Sequence, residues 1–222
     1  MFPLSDSINS GKIAYLNFFI VIITVYIFIQ QFLAPDPEAF IATYALIPAN
    51  VDWNNIKTLA PFVTAIFLHG GLLHILSNMW FLIIFGDNVS SRLTPIGFLL
   101  LYIIAGIAGN LAQYLIDPIS PLPILGASGA IAGILGCYFV LFPYSKIRTL
   151  IFIIFFVTIV EVSAPIVLGY WFILQLFSGF GSLSHAAYDQ GGIAFFAHIA
   201  GFIIGVITGL IIKAKQSTQN SI

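Results

Sequence analysis

Charged residues are scarce in this chain of 222 residues. Aspartate, glutamate, lysine and arginine make up 7% of the sequence, whereas 60% of the residues are hydrophobic. This composition excludes a soluble globular domain and indicates an integral membrane protein built from apolar helices. The few charges sum to −1, and without any basic run the sequence gives no support to nucleic-acid binding.

Cysteine is almost absent as well. Cys137 is the only one, so an intramolecular disulfide is excluded and redox chemistry does not indicate a compartment. We interpret this thiol as a small packing residue on an apolar helix. The chain has no internal repeat. We also predict that the protein needs no metal and no cofactor.

Six apolar stretches are candidates for crossing a bilayer, which takes about 20 helical residues each. They cover approximately residues 13–33, 72–89, 96–116, 127–143, 147–179 and 191–212. The first stretch lacks a small-residue cleavage site and is interpreted as an uncleaved anchor. We therefore predict an all-α membrane protein with a bundle of six transmembrane helices over residues 13–212, flanked by short polar tails at 1–12 and 213–222.

The distribution of charge predicts an orientation for this bundle. With the N-terminus inside, six of the seven basic residues lie on the inner side and only Lys57 lies outside. This is the positive-inside pattern, so both termini are predicted to be cytoplasmic. The first outer loop, about residues 34–71, contains several prolines and Trp53, and is predicted to form an interfacial structure lying on the membrane.

Residues 147–160 are apolar enough to suggest a span of their own. A seventh crossing would reverse the last helix, move His198 to the inner face and break the charge pattern. The segment is also short, rich in β-branched and aromatic residues, and ends at Glu161 and Pro165. We predict that it is extended or interfacial on the inner side, and that the fifth span covers about residues 164–179.

Four polar residues stand inside apolar stretches. Ser128 opens the fourth stretch, His74 and Asn78 lie one helical turn apart in the second, and His198 lies in the sixth. Polar groups at membrane depth are costly, so they indicate a functional site. Prolines before Ser128 exclude a helix there, which predicts a serine at a helix N-terminus facing a wet pocket. A last helix beginning near Gly191 would bring His198 to a similar depth.

These residue types favour acyl-transfer chemistry. A serine hydroxyl needs a neighbouring base, and His198 is the natural base for Ser128. Backbone N–H groups at the helix N-terminus, with the side chains of Asn78 and His74, could stabilise an oxyanion. Since no acidic residue is placed to orient His198, we predict a dyad and not a three-residue arrangement. The alternative is a polar patch that only holds helices together.

Glycines at helical spacing would bring the serine and the histidine together. Gly129, Gly133 and Gly136 lie on the stretch of Ser128, and Gly201, Gly205 and Gly209 lie on that of His198. Such faces let two helices approach closely, although generic helix packing is the simpler alternative. Gly126, two residues before the serine, completes the set of glycines predicted around the site.

Three motifs in this order resemble the rhomboid family of intramembrane serine proteases. They are His-x-x-x-Asn at His74, Gly-Ala-Ser-Gly around Ser128 and Ala-His-x-x-Gly-x-x-x-Gly around His198. The segment 67–74 also resembles the family's entry to its second span, and the resemblance covers about residues 60–212. It implies that Ser128 is the nucleophile, that His198 is the general base, and that His74, Asn78 and the Ser128 N–H form the oxyanion site.

Two positions depart from the family pattern. The Trp-Arg pair that many rhomboids carry in the first loop is Ala60-Pro61 here, so this loop is expected to be anchored differently, for example through Trp53. The tyrosine that backs the catalytic histidine in some members is Ala132. His69 matches a loop position of the family that we interpret as structural.

The predicted function is hydrolysis of peptide bonds in or near transmembrane segments of membrane proteins. A rhomboid-like pseudoprotease that binds membrane proteins without cleaving them is the alternative, and a small transporter is disfavoured because the two halves show no symmetry. Glu161, Asp87 and His185 are interpreted as structural or solvated residues. We expect transmembrane substrates and a bacterial or archaeal cell membrane, while the physiological substrate and the oligomeric state are left open.

Overall fold

The computed structural model describes residues 2–8, 11, 14–153, 156–182 and 194–219. Most of these residues are helical, and two short 3-10 turns lie at Pro48–Asn50 and Ala65–Phe67. In chain order the elements are β1 (Phe2–Asp6), α1 (Tyr15–Leu33), α2 (Pro37–Tyr44), α3 (Ile56–Leu59), α4 (Pro61–Thr64), α5 (Leu72–Ser91), α6 (Pro95–Ile116), α7 (Ser128–Leu141), β2 (Lys146–Ile153), β3 (Phe156–Ser163), α8 (Ala164–Ser182) and α9 (Phe195–Gln219).

Four helices of the described chain, α1, α5, α6 and α9, are long and apolar enough to cross a membrane. The other two large helices, α7 and α8, are also apolar, but their apolar parts are shorter. Helix α7 is buried without interruption from Gly129 to Tyr138, and it contacts α5, α6, α8 and α9. A helix enclosed by other helices need not match the thickness of the lipid, because its ends can meet protein or a water-filled cavity.

The core lies around α7, and the outer helix faces are apolar and exposed. Buried aromatic and aliphatic side chains such as Phe85, Tyr102 and Leu135 fill the centre. Exposed apolar side chains such as Phe19 on α1 and Ile207 on α9 point outward. In a soluble protein, an apolar surface of this extent would be an interaction site or a liability. Together with the length of the helices, it identifies an integral membrane protein.

The structure also contains a three-stranded antiparallel sheet of order β1-β2-β3. Strand β1 is at the N-terminus, and β2 and β3 follow α7 in the chain. Strand β2 pairs with β3 from Lys146↔Ser163 to Ile153↔Phe156, so the prediction of an extended segment between the fourth and fifth apolar helices is confirmed. Helix α8 begins at Ala164, as predicted. The sheet also corrects the predicted fold class, which is mostly helical and not all-α, and residues 2–6 of the segment predicted as a polar tail form a strand paired with β2.

Strand β1 is fixed to the bundle by its last residue, Asp6. The Asp6 carboxylate accepts hydrogen bonds from Asn88 Nδ2 on α5 (2.7 Å) and from Tyr138 Oη on α7 (2.6 Å). Burial raises the pKa of this carboxyl above its usual value, and the two hydrogen bonds oppose that shift. Trp80 Nε1 adds a bond to the Pro3 carbonyl at 2.7 Å. The strand that hydropathy assigns to a tail is therefore part of the packed structure.

We expect Tyr138→Phe to destabilise the protein, because Asp6 would keep a buried carboxylate with one side-chain donor fewer. The free energy of unfolding should fall by about 1.5–3 kcal/mol, the usual worth of a hydrogen bond to a charged group. Thermal unfolding of the detergent-solubilised protein measures this change. Tyr144→Phe is the control: this ring is 96% exposed, so the same substitution should change stability by less than about 0.5 kcal/mol. Equal effects of both variants would contradict the role given to Asp6.

The loop between α1 and α5 folds into short helices and is anchored to α6 through Trp53. Trp53 Nε1 donates to Tyr114 Oη at 3.2 Å, and its ring lies 5.8 Å from the ring of Phe62. The Phe62 backbone carbonyl in turn accepts a hydrogen bond from Asn110 Nδ2 at 2.9 Å. This aromatic cluster accounts for the anchoring of a loop in which Ala60-Pro61 replace the expected Trp-Arg pair.

Candidate active site

A cavity of about 620 Å³ opens at the N-terminal end of α7, and the four predicted polar residues all line it. His74 and Asn78 come from α5, Ser128 opens α7, and His198 belongs to the first turn of α9. This helix begins at Phe195, later than predicted, while Gly191 and His185 lie outside the described residues. Apolar walls with a few converging polar groups are typical of ligand and active sites.

The position of Ser128 is set by the irregular chain before α7. Ile124 exchanges two backbone hydrogen bonds with Leu46 in the first loop, and the Gly126 N–H donates to the Ala65 carbonyl at 2.9 Å. Gly126 has φ of +126°, a conformation that favours glycine. A Cβ atom there would also lie 2.8 Å from the His74 ring. Glycine is thus needed at position 126 because the backbone has a positive φ and because the His74 ring leaves no room for a side chain.

Ser128 Oγ lies 2.8 Å from His198 Nε2, a hydrogen-bond distance. The two helices approach closely because glycines face backbone across the interface. A methyl group at Gly201 would overlap the Gly129 carbonyl, and one at Gly205 would overlap the Gly133 carbonyl. The predicted glycines of α7 and α9 therefore lie at the contact between the helices that carry Ser128 and His198.

Helix α8 contributes two contacts to His198 that the sequence analysis missed. Gln175 Oε1 lies 2.7 Å from His198 Nδ1. The Trp171 ring lies 5.8 Å from the histidine ring at an interplanar angle of 32°, so an aromatic ring from α8 lies beside His198 although position 132 is alanine. The feature of the sequence that could have indicated Gln175 is a polar amide inside an apolar stretch. Its partner could not be read from the sequence because helix α8 follows a sheet whose geometry was unknown.

His74 and Asn78 present nitrogen atoms to the same cavity. His74 Nδ1 accepts the Gly70 N–H at 3.3 Å, so its proton belongs on Nε2, which then acts as a donor. Asn78 is 7% exposed, and its Nδ2 has no hydrogen-bond partner among the described residues. The Asn78 amide therefore offers an N–H donor at the wall of the cavity.

His69 lies beside this site without lining it. Its ring is fully buried and lies 5.1 Å from the His74 ring. Its backbone is held by Gln31 of α1, whose Nε2 donates to the His69 carbonyl at 2.6 Å and whose Oε1 accepts the His69 N–H at 3.2 Å. These contacts agree with a structural interpretation, in which His69 supports His74 from behind.

The remaining charged candidates lie away from the cavity. Glu161 on β3 forms an exposed ion pair with Lys146 at 3.7 Å, which is worth little energetically. Asp87 is thirteen residues beyond His74 on α5, about 20 Å along the helix at 1.5 Å per residue. Within the described residues, no three His, Cys, Asp or Glu side chains form a group suited to a metal ion.

Comparison with known proteins adds to this geometry. Residues 57–215 match the model of the Rhomboid domain. The chain is 29% identical over 189 residues to Rhomboid protein 1, mitochondrial, from Saccharomyces cerevisiae (83% of this chain, 50% of that protein). It is 27% identical over 158 residues to Rhomboid-like protein 11, chloroplastic, from Arabidopsis thaliana (70% and 53%). It is 42% identical over 74 residues to Rhomboid protease GluP from Bacillus subtilis (33% and 14%).

The chain spans about half the length or less of these relatives. Two of the relatives are named mitochondrial and chloroplastic and the third is from a bacterium, so the compartment expected for this chain stays a prediction. The matched domain includes His74, Asn78, Ser128 and His198 together, and it covers more than half of the chain. The chain belongs to the rhomboid family, whose members are generally intramembrane serine proteases.

Proposed function

We propose that this protein is a serine endopeptidase that hydrolyses peptide bonds in or near transmembrane segments of other membrane proteins. The observation that carries the proposal is the 2.8 Å contact between Ser128 Oγ and His198 Nε2 at the wall of a large cavity. A serine in hydrogen-bond contact with a histidine is the arrangement that activates a weak nucleophile. No cofactor takes part in this proposal.

In the acylation step, Ser128 Oγ attacks the carbonyl carbon of the scissile bond while His198 Nε2 takes the hydroxyl proton. The carbonyl electron pair moves to oxygen and forms a tetrahedral oxyanion. This intermediate collapses when the C–N bond breaks and His198 returns the proton to the departing amine. Water then attacks the acyl-serine with the same histidine as base, which releases the second product and restores the serine.

The oxyanion would be stabilised by donors that already face the cavity. The first N–H groups of α7, including that of Ser128, have no partners within the helix, and the helix N-terminus favours negative charge. The side chains of Asn78 and His74 add the donors described above. Such preorganised donors supply a large part of catalysis because they need no reorganisation when charge develops.

The proposed orientation places both termini in the cytoplasm, with six crossings formed by α1, α5, α6, α7, α8 and α9. It is supported by the basic residues, of which Lys146 and Arg148 lie on β2, opposite the Ser128 end of α7. The site would then open toward the outer side of a bacterial or archaeal cell membrane. Because a helical substrate hides its carbonyls in internal hydrogen bonds, the segment to be cleaved must unwind, which favours helix-destabilising residues there.

The alternative function is that of a pseudoprotease, which binds membrane proteins without cutting them. Such a protein would need the cavity and the membrane-embedded helices. It would not need a serine and a histidine within hydrogen-bond distance. The contact between Ser128 and His198 therefore favours the protease.

Labelling with a serine-reactive fluorophosphonate tests the proposal. The detergent-solubilised protein should be labelled, and Ser128→Ala should not be, because the probe forms a bond only with an activated serine. Ser90→Ala is the control: Ser90 Oγ donates to the Asp87 carbonyl in the last turn of α5, far from the cavity, so labelling should be unchanged. A folded wild-type protein without label would reject the protease and favour the pseudoprotease.

A further inference from the structure

The contact between Gln175 and His198 determines which nitrogen of the histidine carries the proton. An amide oxygen only accepts hydrogen bonds, so Gln175 Oε1 at 2.7 Å requires an N–H at His198 Nδ1. In the neutral ring the other nitrogen, Nε2, is then unprotonated and accepts from Ser128 Oγ at 2.8 Å. This tautomer is the one in which the histidine can act as a base toward the serine.

The same helix also fixes the plane of the ring. Trp171 and Gln175 are four residues apart on α8 and therefore lie on one face of it. The Trp171 ring packs beside the His198 ring at an interplanar angle of 32°, while Gln175 Oε1 is hydrogen-bonded to the Nδ1 atom of that ring. With these two contacts, α8 restrains both the rotation of the imidazole and the position of its proton.

We propose that Gln175 is a positioning residue that holds His198 in the tautomer and orientation needed to deprotonate Ser128. The inference depends on the proposed protease function. In an apolar helix an ionised carboxylate would be expensive, whereas a neutral amide accepts the same hydrogen bond at lower cost. A neutral acceptor orients the ring but adds no charge to stabilise the imidazolium that forms in the reaction.

A purely structural role is the competing explanation. Gln175 could join α8 to α9 as one of the interhelical hydrogen bonds that hold membrane bundles together. Its removal would then lower stability, but the pH dependence of the serine's reactivity would not change. The two roles are separated by comparing labelling rate with thermal stability in Gln175→Ala, since a purely structural residue would change stability and leave the labelling of the folded protein unchanged. Replacing the amide with a carboxylate keeps the shape and the acceptor, adds a charge, and tests whether position 175 acts on the histidine directly.

The experiment measures the rate of fluorophosphonate labelling of Ser128 across pH in four full-length proteins. These are the wild type, Gln175→Ala, Gln175→Glu and the control Leu174→Ala. Leu174 is the neighbouring residue on α8 and is 41% exposed, so its truncation removes a side chain of similar size from an exposed position of the same helix. Thermal unfolding of each protein is recorded alongside.

We expect Gln175→Ala to label about 10- to 100-fold more slowly than the wild type, and Leu174→Ala to label normally. The loss should stay below the ~10⁴-fold effect of placing the wrong tautomer in a serine–histidine–aspartate triad, since Trp171 still holds the ring. Gln175→Glu should label faster than Gln175→Ala, and the acid limb of its pH–rate profile should move to higher pH because the carboxylate favours the protonated histidine.

Three results would overturn the inference. Normal labelling of Gln175→Ala would show that the amide does not position the histidine. If that variant does not fold, an unshifted acid limb in Gln175→Glu would lead to the same conclusion. Absence of label in the wild type would instead reject the proposed function and the inference with it. Labelled wild type with an unaffected Gln175→Ala rejects only the inference.

Discussion

Ser128→Ala and His198→Ala should each abolish cleavage of a transmembrane substrate, and the double variant should be no less active than either single one. The reason is that nucleophile and base act as one unit: once either is missing, the other has no partner in the proton transfer. The 2.8 Å separation of Ser128 Oγ and His198 Nε2 supports treating them as such a unit. Independent contributions would predict a double variant far slower than both.

The measurement is quantitative cleavage of a reporter transmembrane segment by purified protein in lipid vesicles. Ser145→Ala is a matched control, because this buried serine donates to the Phe142 carbonyl at the opposite end of α7 and does not line the cavity. It should retain the rate of the wild type. Substantial proteolysis by pure Ser128→Ala would remove Ser128 from the mechanism, and additive losses in the double variant would show that the two residues do not act together.

Hydropathy and spacing were sufficient for the long helices and for the residues of the cavity. The stretches predicted at 72–89 and 96–116 correspond to Leu72–Ser91 and Pro95–Ile116, because continuous apolar runs bounded by Gly71 and Pro95 leave little choice. The residues His74, Asn78, Ser128 and His198 could be found because polar groups in an apolar run are conspicuous. Their convergence on one cavity follows from the order of the helices.

The sheet was only half predictable. The hairpin of β2 and β3 joins neighbouring segments rich in β-branched residues, which is a local signal. Strand β1 has five residues, one of them Pro3, and pairs with residues more than 140 positions away. Its formation depends on the hydrogen bonds that Asp6 receives from α5 and α7. No pattern within residues 2–6 contains that information.

The partners of His198 were missed for a similar reason. A polar residue such as Gln175 is easily recognised in an apolar helix. Whether its side chain contacts His198 depends on how α8 is rotated about its own axis. That rotation is fixed by packing of side chains such as Trp171 against α9. Ala132, at the position of the family's tyrosine, left the packing of the histidine ring open, and the aromatic ring that lies beside His198 comes from another helix.

Replacing Gly201 with alanine should lower activity about 100-fold, although the change adds only one methyl group. The new Cβ would overlap the carbonyl oxygen of Gly129, so α9 must move away from α7. Backbone cannot yield as a flexible side chain can. Since Gly201 is less than one turn from His198, the shift opens the contact with Ser128, and a displacement of about 1 Å costs on the order of 10²-fold in rate.

The control uses the same substitution on a helix face with free space. At Gly169 on α8, a Cβ atom would meet only Phe139 at 4.0 Å, an ordinary contact. Alanine there should preserve activity and stabilise the helix by up to about 1 kcal/mol, since glycine is the poorer helix former. Cleavage and thermal unfolding of both variants in the same vesicles test the contrast. If Gly201→Ala cleaves as fast as Gly169→Ala, close approach of α7 and α9 does not set the distance between Ser128 and His198.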